Sequence, residues 1–457
     1  MLIAIAAAVG LLAPLDEPGR LLIIAPSRFG AAAGEYAAFK RETRPCDVAV
    51  LEDVLATSAG VDDPERVKRF LYEAWKQRGV KFVLLVGDAD CFPVRFMCLD
   101  RVTGPAFDYA FYPSDLYYAD VAKRDGSFED WNGSKEGFHA GYFGEVRGEK
   151  NKSDPINFDG IDYRPEVHLG RWPVSDEKQL RTVMAKSMAY EKERDASRDA
   201  GDAEPGRGRH GVDQCAAIMV GGWIDARGRM DSIVESLPEG WSTQKLYYQD
   251  GNAAFVTPEP NEERVVAAFN DGARLVLHTG HGSDDQWEKC LSVASIKGLN
   301  NAAALPVVIS AGCSTARFAT LPPYEGYVDI HGRPHIGTDA GEVFTAPPPP
   351  PSPWATGPYN KTGLGEQLLR AGPGGAVAYI GCNTGSQPCG VTLMEGFVAA
   401  VGKKGTIGEC WSSAIEWYWE KEGLETIKPT ESWYPASIFF QGMKFMVFGD
   451  PSLPIGG

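Results

Sequence analysis

Short apolar runs alternate with amphipathic stretches along most of the chain. Leu21–Ala25 (LLIIA) and Phe82–Val86 (FVLLV) read as buried strands. Between them Asp63 can cap a helix with Pro64 at its first position. Val67, Phe70, Leu71, Ala74 and Trp75 then share one face, and Gly79 ends the helix. Val167–Arg171 has strand character, and Ser175 caps a helix carrying Leu180, Val183, Met184 and Met188. The second half repeats the alternation. It has strands at Cys215–Val220, Arg274–Thr279, Pro306–Ser310 and Ala376–Ile380, and helices at Glu263–Asn270 and Gly365–Ala371. Runs that are apolar throughout mark a parallel sheet covered on both faces. The pattern predicts an α/β fold of two similar units side by side.

Three stretches break the alternation. Residues 100–165, rich in Asp, Gly, Tyr, Asn and Trp, read as long loops with short strands. Residues 192–212 are charged and Gly-rich, and residues 321–362 form an insertion with five consecutive prolines at Pro347–Pro351, which cannot pair in a sheet. The expected organisation is an N-terminal α/β subdomain over 20–195, a linker over 196–212 and a second subdomain over 213–457 containing the insertion. Residues 1–19 open with MLIAIAAAVGLLAPL. This resembles the apolar core of a secretory signal without its basic start or a clean cleavage site, and reads equally as a buried N-terminal strand or helix. No apolar run reaches the ~18 residues a membrane-spanning helix needs.

Composition narrows the partners. The net charge of −16 disfavours a nucleic-acid phosphate backbone and leaves room for basic substrates. The nine cysteines are an odd number, and none form a Cys-x-x-Cys pair. With six residues inside both Cys91/Cys98 and Cys382/Cys389, and no His-Glu-x-x-His, the sequence disfavours zinc and thiol-redox sites.

In open parallel sheets, ligands bind beyond the carboxyl ends of strands. His281 follows the strand ending at Thr279, within Gly280-His281-Gly282-Ser283. Cys313 follows the strand ending at Ser310, within Ser310-Ala311-Gly312-Cys313. One strand–crossover–strand unit separates them, so adjacent parallel strands would bring both tips together. A thiol beside an imidazole has the elements of nucleophilic catalysis on a polypeptide carbonyl. The glycines admit a peptide backbone, and the N–H groups of Cys313 and Gly282, with Gly312 in the same turn, are candidates for an oxyanion hole. A lone cysteine after an apolar strand is more often a small core residue, and His278, within the strand, reads as structural. Asp284 and Asp285 can attract a basic side chain or form a solvated acidic turn. Asp115, Asp120, Asp125, Asp130 and Asn132 offer hard oxygen ligands suited to calcium, although not at EF-hand spacing.

LVLHTGHGSDDQW followed by LPVVISAGCSTARF closely resembles the catalytic segments of the gingipain family of cysteine peptidases. Leu84–Arg95 (LLVGDADCFPVR), Ser114–Asp120 (SDLYYAD), Val167–Val174 (VHLGRWPV), Gly375–Gly381 (GAVAYIG) and Phe448–Leu453 (FGDPSL) extend the resemblance over roughly residues 20–455. It implies a caspase-like fold of two subdomains, each with a mostly parallel sheet flanked by helices. It implies a secreted endopeptidase with Cys313 as nucleophile, His281 as general acid/base and cleavage after Arg or Lys. No organic cofactor is implied, and structural calcium is, with Asp115 and Asp120 as candidate ligands. Family members orient the histidine with an upstream acidic residue, for which Asp225 is the candidate. The Pro-rich insertion lies near the expected substrate wall. The competing reading is a caspase-like binding module whose cysteine is unused.

Overall fold

The computed structural model describes residues 19–100, 111–132, 146–147, 155–157, 159–201, 213–221, 226–249, 257–321, 327–328, 332, 334–335, 363–430 and 434–455. Ten strands form one sheet. In chain order they are β1 (Arg20–Ala25), β2 (Cys46–Val50), β3 (Val80–Val86), β4 (His168–Trp172), β5 (Gln214–Met219), β6 (Ser242–Tyr247), β7 (Leu275–Thr279), β8 (Val307–Ser310), β9 (Ala378–Cys382) and β10 (Phe445–Phe448). Their order across the sheet is β2-β1-β3-β4-β10-β9-β8-β7-β5-β6. All neighbours run parallel except β9 and β10. The strands of the two halves therefore run in opposite directions, and β10 is the seam between them. Where two units side by side were expected, their sheets are continuous through the single residue pair Phe448↔Arg171.

Both faces of the sheet are covered, which is why the strands lack polar alternation. Leu22, Ile24, Leu275, Leu277, Val307 and Ile309 join one apolar cluster; Leu21, Ile23, Val276 and Val308 join the other. Helices complete both layers. Val67, Leu71 and Ala74 of α1 (Asp63–Arg78) pack with the first cluster. Leu180, Val183 and Met184 of α2 (Glu177–Gly201), and Val265, Ala268 and Phe269 of α3 (Glu262–Asn270), pack with the second.

Several boundaries shift. The cap of α1 is Asp62, whose carboxylate accepts the Glu65 N–H, one residue before the expected Asp63. The first turn of α2 is held by Asp176, which accepts the Gln179 N–H, while Ser175 donates its own N–H to Gln179 Oε1. In both cases the aspartate one turn before the first free N–H takes the bond. Helix α2 runs to Gly201 and absorbs the start of the 196–212 linker; the remainder of the linker, residues 202–212, lies outside the described residues, as does most of the 321–362 insertion.

Buried polar contacts tie the halves together. Arg370 reaches Asp88 at 2.9 Å and the Pro173 carbonyl at 2.8 Å. Lys40 pairs with Glu191 at 2.7 Å and Asp450 at 3.4 Å.

Candidate active site

Strands β7 and β8 pair in parallel with His278 opposite Ser310. His281 and Cys313 each lie three residues beyond this pair, so both side chains start from equivalent points at one sheet edge. Glycines let the two loops meet. Gly280 has φ +115°, and a Cβ there would collide with the Val220 carbonyl. A Cβ on Gly282 would fall 2.6 Å from Thr315 Cγ2 and 3.2 Å from the Cys313 carbonyl oxygen. The His281 loop is closed by Ser283 N–H donating to Gln286 O and Glu288 N–H to His281 O, around a Gly282–Trp287 bridge. This leaves the Gly282 N–H outside the pattern and the His281 side chain exposed.

Cys313 is half-buried on a tight turn. The next residue, Ser314, has φ +56°, unusual for a side chain of its kind, and its N–H is fixed by the Thr384 carbonyl at 2.7 Å. The sulfur faces the Ser386 peptide: Ser386 N–H donates to Cys313 Sγ at 3.3 Å, and the thiol donates to Ser386 O at 3.4 Å. Gln441 holds that loop by accepting the Gln387 N–H and donating to Ser386 Oγ, each at 3.2 Å; Lys444 donates to the Gly385 carbonyl. Sequence reasoning missed this loop. The signal was present, since residues 383–389 follow the carboxyl end of β9, next to β8.

Other expectations divide. Gly312 N–H donates to Ser310 Oγ at 3.3 Å, so it is not available as an oxyanion donor. The Cys313 N–H has no acceptor among the described residues. His278 is fully buried, with Nδ1 2.8 Å from Ser310 Oγ and its ring stacked on Trp287 at 4.3 Å; burial pulls its pKa down to about 3. Asp285 accepts the Ser283 hydroxyl at 2.6 Å, and the Asp284 carbonyl accepts the Leu364 N–H, joining the His281 loop to the segment that follows the insertion. Asp225 lies outside the described residues.

The model of the family described as peptidase family C25 matches residues 14–456. The chain belongs to peptidase family C25. Gingipain R2 of Porphyromonas gingivalis is 22% identical over 312 residues, 66% of this chain and 33% of that protein. Gingipain R1 of the same organism is 28% identical over 181 residues, 38% of this chain and 16% of that protein. This C25 chain thus spans a third or less of the length of these relatives. The crystal structure of the Arg-specific cysteine proteinase gingipain R superposes with TM-score 0.60 at 17% identity, covering 97% of this chain and 80% of that one. The complex of RgpB pro- and mature domains gives 0.58 at 17% identity, covering 96% and 80%. The fold is therefore the caspase-like α/β fold of gingipain R.

The C25 chain also gathers three carboxylates. Asp120, Glu129 and Asp162 bring oxygens within 4.8 Å of one another. Asp120 accepts the Trp131 indole N–H at 2.8 Å through one oxygen, while the other has no partner; burial raises its pKa well above the usual range. The ammonium of Lys68 is buried nearby against Tyr117 and Trp131, with its pKa lowered by burial to about 8. An orphaned carboxylate oxygen among hard donors fits a divalent cation such as calcium. Asp115, the other expected ligand, is instead taken by Arg171 in a two-pronged pair, both contacts at 2.7 Å. The buried guanidinium already supplies the cation there.

Proposed function

We propose that this C25 chain is a cysteine endopeptidase acting through Cys313 and His281, with a preference for Arg or Lys before the scissile bond. The observation carrying the reading is the placement of both residues three positions beyond the His278↔Ser310 pair, on glycine loops in contact. A polypeptide binds extended across this edge. His281 takes the Cys313 proton, and the thiolate attacks the carbonyl carbon. The oxyanion is met by the N–H groups of Cys313 and Gly282. His281 then gives its proton to the leaving amine, breaking the C–N bond, and water hydrolyses the thioester. The basic preference is supported by the net charge of −16, by the acidic turn at Asp284–Asp285 and by the Arg-specific structural relative. Calcium is proposed at Asp120, Glu129 and Asp162 as a brace for the fold. Export is proposed from the likeness to gingipains; among the described residues no helix is long and apolar enough to cross a membrane.

The test is labelling with peptidyl acyloxymethyl ketones ending in Arg, Lys, Asp or Leu, with mass-spectrometric mapping. Selective modification of Cys313 by the Arg or Lys probe, lost in His281→Ala, is expected. Slow, equal labelling of several cysteines regardless of His281 would favour a binding module with an unused cysteine.

A further inference from the structure

Behind the Cys313 turn lies a group of buried polar side chains that the chemistry above does not use. His278, Ser310, Thr315 and Tyr379 are all fully buried. Ser310 Oγ takes the Gly312 N–H and lies 2.8 Å from His278 Nδ1. Thr315 Oγ1 lies 3.0 Å from Ser310 Oγ and 3.3 Å from the Gly312 carbonyl oxygen. The Tyr379 hydroxyl accepts the Trp287 indole N–H at 3.1 Å. Trp287 in turn bridges Gly282 in the His281 loop. One polar cluster thus braces both loops of the site from beneath.

The contact between Thr315 and Gly312 has a directional consequence. A main-chain carbonyl only accepts, so the Thr315 hydroxyl is the donor. The Gly312 carbonyl belongs to the same peptide as the Cys313 N–H, and a trans peptide sets its C=O and N–H on opposite sides. Holding the carbonyl inward on Thr315 turns the Cys313 N–H outward, where no described residue accepts it. A rigidly held donor with no internal partner suits charge that develops during the reaction.

We infer that Thr315 is a positioning residue for the oxyanion hole. Its hydroxyl fixes the rotation of the Gly312–Cys313 peptide and presents the Cys313 N–H to the oxygen of the tetrahedral intermediate. Its methyl sits against Gly282 and keeps the His281 loop in register with the turn. The inference rests on Cys313 being the nucleophile.

Thr315→Val removes the hydroxyl and keeps the shape, Thr315→Ser keeps the hydroxyl, and Cys313→Ala is the control, all in the full chain. Hydrolysis of a fluorogenic Arg- or Lys-peptide amide and binding of a peptide aldehyde both create an oxyanion. Alkylation of Cys313 by iodoacetamide is a displacement and creates none. Thr315→Val is expected to lose ~10- to 100-fold in kcat with KM within about twofold, since one oxyanion donor is worth ~10²–10³ when removed outright. Aldehyde affinity should fall in step, the iodoacetamide rate should stay unchanged, and Thr315→Ser should restore kcat. Wild-type kcat and aldehyde affinity in Thr315→Val would overturn the inference, as would an iodoacetamide rate that falls in the same proportion as kcat. Turnover that survives Cys313→Ala, or no turnover by the wild type, would overturn the nucleophile assignment instead.

Discussion

The Arg171–Asp115 pair makes a sharp prediction because the sequence suggested calcium at Asp115 and the structure gives it a guanidinium. Arg171 is fully buried. It donates twice to Asp115 at 2.7 Å and once to the Gly87 carbonyl at 2.9 Å, and it lies 5.1 Å and 5.3 Å from the ring centres of Phe92 and Phe318. Its residue pair with Phe448 is the seam joining the two halves of the sheet. Asp115→Ala leaves that buried charge with one direct acceptor, the Gly87 carbonyl. Breaking a buried pair from one side costs about 3–5 kcal/mol, a large share of the ~5–15 kcal/mol that holds a typical domain together. The double change Asp115→Leu with Arg171→Met removes both charges and keeps side chains of similar bulk among the phenyl rings. It should recover most of the loss, since such apolar replacements are commonly neutral or better. Urea unfolding followed by tryptophan fluorescence, run with calcium and with EDTA, reads this directly. The single variant should shift to a lower midpoint by the same amount in both buffers. A loss seen only in calcium, or a double variant no better than the single one, would refute the ion-pair account.

Three other outcomes are expected. EDTA should lower the thermal midpoint of the wild type but not of Asp162→Asn, if Asp120, Glu129 and Asp162 hold a cation; equal midpoints with and without EDTA in the wild type would exclude it. The pKa of His278 is lowered by burial to about 3 from its ordinary 6.5, so between about pH 4 and 6 the unfolded chain binds a proton that the folded chain does not. Stability from this group is complete above pH 6.5 and lost as pH falls, so the wild type should gain on His278→Gln by ~1.4 kcal/mol per pH unit across that window, measured by urea midpoints. Gly280→Ala forces a side chain at φ +115° into the Val220 carbonyl; the displaced His281 loop should cost ~10²-fold in kcat for peptide hydrolysis, and near-normal turnover would show that the loop has another way to close.

The apolar runs at Leu21–Ala25, Phe82–Val86, Arg274–Thr279 and Pro306–Ser310 were legible as strands because burial on both faces leaves only one kind of pattern. Gly79 was legible because it marks local backbone geometry, the left-handed turn that ends the helix. Position beyond strand ends likewise singled out His281 and Cys313. By contrast, the choice of Asp62 over Asp63 and of Asp176 over Ser175 as caps turned on which carboxylate faces the free N–H, a difference of one residue that composition does not register. The Ser386 loop followed the same strand-end rule, but its contribution is a backbone N–H, which no side-chain pattern registers.

Local order along the chain settled what depends on near neighbours: the α/β alternation, the strand tips that carry the thiol and the imidazole, and the glycines that let those tips approach. The tertiary structure alone decided what depends on residues far apart. Arg171 reached Asp115 across 56 positions and took the place of the expected metal there. Ser386 reached Cys313 across 73. The opposed directions of the two parallel sets were set by β10, the last strand, closing the seam. A buried charge or a bare sulfur is satisfied by whichever group the fold delivers, and that delivery is a property of packing across the sheet rather than of any stretch of sequence.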